Sequence, residues 1–239
     1  MEQKKWPKVF SPFTPEQAAI NTDFLKHWHE LLASRSRYSI IEKFNHGYIV
    51  NHAPQNFTKT LEIGAGLGEH LNHEKLTPEQ KENYHALELR EKFAKVIRKK
   101  FPFAQTLVGD CQETLPFADG EFDRIIAIHV LEHLPNLPAT IAEMYRLCNK
   151  KNGVFSIVIP CEGGMAYSFA RKISAQKIFE HRYKQPYQFY IEREHLNVPA
   201  EILQELDPYF ELVHKSFFPL LIPWVVCNLC IGLTLRPRN

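Results

Sequence analysis

Four short stretches carry residues whose types and spacing could do chemistry. The first is Glu62-Ile63-Gly64-Ala65-Gly66-Leu67-Gly68. Its glycines would let the backbone turn sharply and approach a ligand closely. A helix beginning just after it would offer unpaired N–H groups to a carboxylate. The second stretch ends in Glu88 and Leu89. A carboxylate at the end of a strand can accept both hydroxyls of a ribose. The third is Gly109-Asp110-Cys111-Gln112. Asp110 could accept a hydrogen bond from an exocyclic amine such as that of adenine. The fourth, His129-Val130-Leu131-Glu132-His133, sets two imidazoles and an acid within five residues. Such groups can move protons near neutral pH.

Each piece alone also has a bland reading: a tight turn, a solvated Glu, an Asp capping a helix, a His packed at a helix start. His129-x-x-Glu132-His133 also matches the inverted zincin pattern of a zinc metallopeptidase. That motif should sit inside a helix, whereas here its first His directly follows an apolar run. Cys227-x-x-Cys230 lacks a second ligand pair, so ordinary buried thiols fit it better than zinc. His70 and His73 read as a helix surface. No metal is expected.

The elements that would position these residues follow from periodicity. Apolar residues at Ile20, Phe24, Trp28, Leu31 and Leu32, after Thr14-Pro15-Glu16, predict an N-terminal helix. Tyr38, Ile41 and Phe44 predict a shorter one. Short apolar runs at 60–63, 84–89, 104–108, 123–128 and 154–159 predict five strands, the fourth so continuous that it suits a strand buried on both faces. Helices are expected at 69–76, 91–100 and 137–147 between them. Alternation of strand and helix implies a parallel sheet flanked by helices. Ligands in such sheets bind at the carboxyl ends of the strands. All four chemical stretches fall there.

At 239 residues, 44% hydrophobic and 23% charged, the chain can bury a core without disulfides or metals. A net charge of +2 disfavours bulk nucleic acid as a partner. Five scattered cysteines and a polar N-terminus imply a reducing, cytoplasmic setting.

The blocks LEIGAGLGEHL at 61–71, HALEL at 85–89, GDCQETLPFADGEFD at 109–123 and RIIAIHVLEHL at 124–134 resemble the class I (Rossmann-like) S-adenosylmethionine-dependent methyltransferases, in their small-molecule-type subgroup. The resemblance spans roughly 58–160. It implies a Rossmann-like α/β fold: a seven-stranded, mostly parallel sheet with an antiparallel C-terminal strand, flanked by helices, plus N-terminal helices and a cap insertion. It divides the chain into an N-terminal helical extension (1–57), a cofactor-binding core (58–160), a substrate cap (161–205) and strands completing the sheet (206–239). It implies S-adenosylmethionine as cofactor and S-adenosylhomocysteine as product. Glu62, Gly64, Ala65, Gly66 and Gly68 would surround the methionine and ribose, and Glu88 would bind the ribose hydroxyls with Leu89 against adenine. Asp110 and the backbone of Cys111 would hold the adenine, and His129 would lie near the methionyl part. A hydroxyl acceptor would want a base, with His133 the first candidate and His129 the second. A domain that binds the cofactor without catalysis is the non-enzymatic alternative.

The acceptor is expected to be a small molecule or a glycan precursor, including a lipid-linked one, methylated on oxygen or nitrogen. The uncharged stretch 216–235 is about the ~20 residues of a membrane span, but Pro219 and Pro223 argue against one spanning helix. In the implied fold, 210–215 and 228–235 are strands six and seven. They leave 217–226 as an apolar connection, which suits a peripheral membrane or dimer contact.

Overall fold

In a computed structural model, which describes residues 5–34 and 39–238, the strands form one seven-stranded sheet. They are β1 (Thr60–Ile63), β2 (Tyr84–Glu88), β3 (Gln105–Val108), β4 (Arg124–Ile128), β5 (Val154–Pro160), β6 (Phe210–Phe218) and β7 (Cys230–Pro237). Their order is β3-β2-β1-β4-β5-β7-β6, with β7 antiparallel between β5 and β6. This is the expected Rossmann-like arrangement. β1, β2 and β5 are buried along their whole length, as parallel strands covered on both faces must be.

Helices α1 (Pro15–Ser34) and α2 (Ser39–Asn51) precede the sheet, and α3 (Pro78–Glu82), α4 (Glu91–Lys100) and α5 (Leu137–Leu147) lie between its strands. Four more fill the insertion after β5: α6 (Met165–Arg171), α7 (Lys177–Tyr183), α8 (Gln188–Glu194) and α9 (Pro199–Leu206). A π-helical turn at Lys172–Gln176 joins α6 to α7.

One face of the central strands packs on α5 and α9 through Ile125, Phe155, Ile141, Met144 and Ile202. The opposite face receives α2, whose Tyr48 and Ile49 meet Ile126 and Val158. Tyr48 lies on Gly232 of β7, where a Cβ would come within 2.5 Å of the ring. Its hydroxyl reaches Thr234 Oγ1 at 3.0 Å.

The N-terminal extension is not a unit by itself. Phe24 of α1 is buried among Phe179, Tyr187, Tyr190 and Ile191 of the insertion, with ring centroids 5.0 Å from both Phe179 and Tyr190. Asp23 accepts from Arg182 and Tyr183. The chain before α1 is tied down as well, with Lys8 Nζ donating to Glu201 and to the Leu196 carbonyl. So α1 belongs with the cap and α2 with the sheet. The expected placements of Trp28, Leu32 and Tyr38 lie outside the described side chains.

The expected helix at 69–76 does not form. Only a 3₁₀ turn at His70–Asn72 is present. Tertiary contacts override local preference here. Glu74 accepts from the fully buried Arg124 at 2.7 Å, and its carboxylate lies 2.7 Å from His70 Nε2. A short helix, α3, forms instead behind a capping box in which Thr77 Oγ1 accepts from the Gln80 N–H and Gln80 Oε1 from the Thr77 N–H. Among the described residues no helix is long and apolar enough to cross a membrane.

Candidate active site

The loop after β1 turns three times through left-handed glycines, Gly64, Gly66 and Gly68, with φ of +63°, +58° and +77°. Side chains rarely adopt this conformation. At Gly64 there is no room either, since a Cβ would fall 2.5 Å from Val130 Cγ2 in the loop after β4. The loop's backbone is held to β2, with Ala65 N–H donating to the Leu87 carbonyl at 3.0 Å.

Glu88 ends β2 with its carboxylate already engaged. Oε2 accepts from Gly66 N–H at 3.0 Å, while Oε1 accepts from the Arg90 N–H and Nε, each at 3.0 Å. Glu88 therefore ties the glycine loop to the second strand end. Leu89 beside it is 63% exposed, an apolar surface with no protein partner over most of its area. After β3, Asp110 accepts from Gln112 N–H at 2.9 Å and from Gln112 Nε2. Gln112 Oε1 in turn accepts from the Asn136 N–H at the start of α5. Cys111 is buried, and burial pushes its thiol up to about 12.

Glu62 lies beneath the loop, buried, accepting from the Tyr84 hydroxyl at 2.7 Å. Burial pushes its pKa up to about 8, against the lowering effect of the Tyr84 hydrogen bond. Burial thus favours its neutral form near physiological pH.

The far side of β4 differs. His129 takes a left-handed φ of +53° immediately after the strand. Its Nδ1 lies 3.1 Å from Glu132 Oε1. Burial opposes its charge, but hydrogen bonds to Cys230 and Glu132 win, and its pKa stands well above the ordinary value. Its side chain thus reaches Cys230 at the start of β7. Glu132 is buried and, despite that burial, is held ionised by His129. Its Oε2 has no hydrogen-bond partner. Residues Leu131–His133 form a single 3₁₀ turn. The helical frame that an inverted zincin requires is therefore absent. Among the described residues, no group of three or more His, Cys, Asp or Glu could hold a metal.

His133 Nδ1 meets the Glu194 carbonyl. A carbonyl can only accept, so Nδ1 carries the proton and Nε2 keeps its lone pair. Burial lowers the pKa of His133 below the ordinary 6.5. Nε2 sits 3.9 Å from Glu132 Oε1. The turn itself is clamped by the insertion: Asn197 Nδ2 donates to the carbonyls of Leu131 and Leu134, and Leu196 and Asn197 N–H groups donate to that of Glu132.

Sequence reasoning missed Glu162 and His195, which the insertion brings to this place. Glu162, just past β5, accepts from His195 Nδ1 at 2.7 Å and also pairs with Arg171. Burial raises and the His195 hydrogen bond lowers its pKa, and the net direction is down. His195 packs edge-on against His133 with centroids 5.0 Å apart, and Tyr167 stacks on its other side at 6.2 Å. These residues are 29 to 66 positions from the motif at 129–133, so local spacing held no signal for them.

Residues 61–157 match the family model described as a methyltransferase domain. The chain therefore carries a methyltransferase domain over 61–157, on a fold it shares with class I, Rossmann-like S-adenosylmethionine-dependent methyltransferases. No curated protein is significantly similar to it in sequence. Among solved structures, it is similar to a TehB-like S-adenosylmethionine-dependent methyltransferase from Corynebacterium glutamicum, at 17% identity over 92% of this chain and 100% of the other, with a TM-score of 0.60. It is also similar to the N-methyltransferase NodS from Bradyrhizobium japonicum WM9, solved with S-adenosylhomocysteine, at 11% identity over 95% and 100%, with a TM-score of 0.62. A third is the CurJ carbon methyltransferase, at 16% identity over 90% of this chain and 58% of the other, with a TM-score of 0.62. This methyltransferase thus shares its fold with enzymes named for nitrogen and for carbon acceptors.

Proposed function

We propose that this methyltransferase moves the methyl group of S-adenosylmethionine to an oxygen or nitrogen of a small-molecule or glycan-type acceptor, with His133 as the general base. The observation that carries this reading is the tautomer of His133. Its Nδ1 proton is fixed by the Glu194 carbonyl, its lowered pKa keeps it neutral, and Nε2 is left to take a proton. The Glu132 carboxylate near Nε2 would stabilise the imidazolium that results.

On the donor side, the residues present fit the cofactor. The backbone of Gly64, Ala65, Gly66 and Gly68, above Glu62, borders the methionine and ribose. Glu88 takes the ribose hydroxyls, and the hydrogen bond from exposed Arg90 Nε is the one that a hydroxyl can replace. Leu89 packs on adenine, and Asp110 with the Cys111 backbone holds the adenine edge. The His129 backbone borders the methionyl part. When bound, the cofactor supplies an activated methyl on a sulfonium. The protein's part is then alignment, exclusion of water and removal of the acceptor's proton.

The test is transfer of labelled methyl from the cofactor to separated fractions of small metabolites, free glycans, lipid-linked saccharides and RNA. Label should enter a glycan or small-molecule fraction. Label in RNA alone, or in none of them, would overturn the acceptor class.

A further inference from the structure

The connection between β6 and β7 leaves its apolar side chains outside. Leu221 is 85% exposed and Trp224 62%, with Leu220, Ile222 and Val226 each near half. The register Pro160–Cys230–Phe218 puts this loop at the carboxyl edge of the sheet, the edge that holds His129 and Glu162. Its 225–227 turn lies against α6, so closely that a Cβ on Gly164 would meet the Val225 carbonyl at 2.5 Å. From that junction runs a second exposed apolar row, Met165, Phe169 and Ile173, spaced by four residues along α6 and the π-helical turn.

The charge beside this row is positive. Between 165 and 184 stand Arg171, Lys172, Lys177, Arg182 and Lys184 against Glu180 alone. Arg171 is committed to Glu162 and Arg182 to Asp23. Lys172 and Lys177 are exposed in the groove with Phe169 and Ile173, with no ion pair among the described residues. Glu180 is tied to Gln176 at 2.9 Å. Protruding Leu and Trp beside free lysines are the ingredients of an interfacial, anionic-lipid contact. A two-fold contact with a second copy would set these lysines near their own counterparts, which costs energy.

We propose that the protein docks on an anionic lipid bilayer through the 219–226 loop and the adjoining Met165–Ile173 row, so that a lipid-borne acceptor reaches the cleft from the membrane. The delivery half of this proposal rests on the acceptor reading above, and the docking half does not.

The test is co-sedimentation of the full chain with phosphatidylcholine vesicles, with and without phosphatidylglycerol, at low and high salt. Binding should need phosphatidylglycerol and weaken with salt. L221S/W224S should bind about tenfold more weakly or less, and K172Q/K177Q about fivefold more weakly per lysine. Both variants should keep the parent's affinity for S-adenosylhomocysteine, which shows that they are folded. Absence of binding to phosphatidylglycerol vesicles at low salt, or variants that bind like the parent, would overturn the proposal. So would a dimer that L221S/W224S abolishes without vesicle binding, since the patch would then belong to a second copy. Vesicle binding without label in any lipid-borne product would retain the docking and remove the delivery.

Discussion

The carboxyl edge of this sheet has two halves built on different principles. In the donor half, from β3 to β1, each group named lies within a few residues of a strand end and is fixed by backbone geometry. Glu88 is fastened to Gly66 N–H, and Asp110 folds onto Gln112. In the proposed acceptor half, beyond β4, His129, Glu132 and Glu162 also follow strand ends, but His195 and Arg171 arrive from the insertion, and these groups are held by ion pairs. Glu132 faces His129, and Glu162 faces His195 and Arg171. The donor half rests on a buried acid, Glu62, whose neutral form burial favours, whereas the acceptor half rests on ionised pairs.

Substitutions can break this division in order of expected size. His133→Ala should lower kcat by on the order of 10²–10⁴ and leave calorimetric binding of S-adenosylhomocysteine within twofold of the parent (about 0.4 kcal/mol). Its pH–rate profile should also lose the acidic limb, which in the parent falls below the ordinary histidine range because burial lowers this pKa. Gly64→Ala combines a left-handed φ with a clash on Val130. Strain and overpacking of about 1–3 kcal/mol each should weaken product binding by tenfold or more and lower the melting temperature together. Glu88→Ala should weaken binding by about 1–3 kcal/mol and lower the melting temperature, since it also strands the Gly66 N–H.

The smallest effect sharpens the contrast in charge. The pKa of Glu62 is raised in the fold, so its contribution to stability is complete below the unfolded value near 4.5 and is lost as pH rises through about 8. Glu62→Gln should therefore flatten the decline in melting temperature between pH 5 and pH 9, by a few degrees at the alkaline end. A decline as steep as the parent's would show that Glu62 is already ionised.

The legible part of the molecule follows the same division. The strand ends and the glycine loop could be read because period and local chemistry agree there: an apolar run, then glycines, then an acid. Residues Glu91–Lys100 and Leu137–Leu147 were expected as helices and are helices. The segment 69–76 was misread because Arg124, fifty residues on, captures Glu74. The Thr77-Pro78-Glu79-Gln80 capping box was visible in the sequence and went unused. His195 and Glu162 could not be read. Nothing in their spacing says that the insertion folds back so that Asn197 grips the 131–134 turn.

The most direct test of the two-halves account is one pair of calorimetric titrations with S-adenosylhomocysteine, on Glu88→Ala and on His195→Ala, alongside the parent. Glu88→Ala should bind weakly, while His195→Ala, which loses only the acceptor-side partner of Glu162, should bind like the parent. Equal losses in the two variants would contradict the account, because donor and acceptor halves would then be a single coupled site.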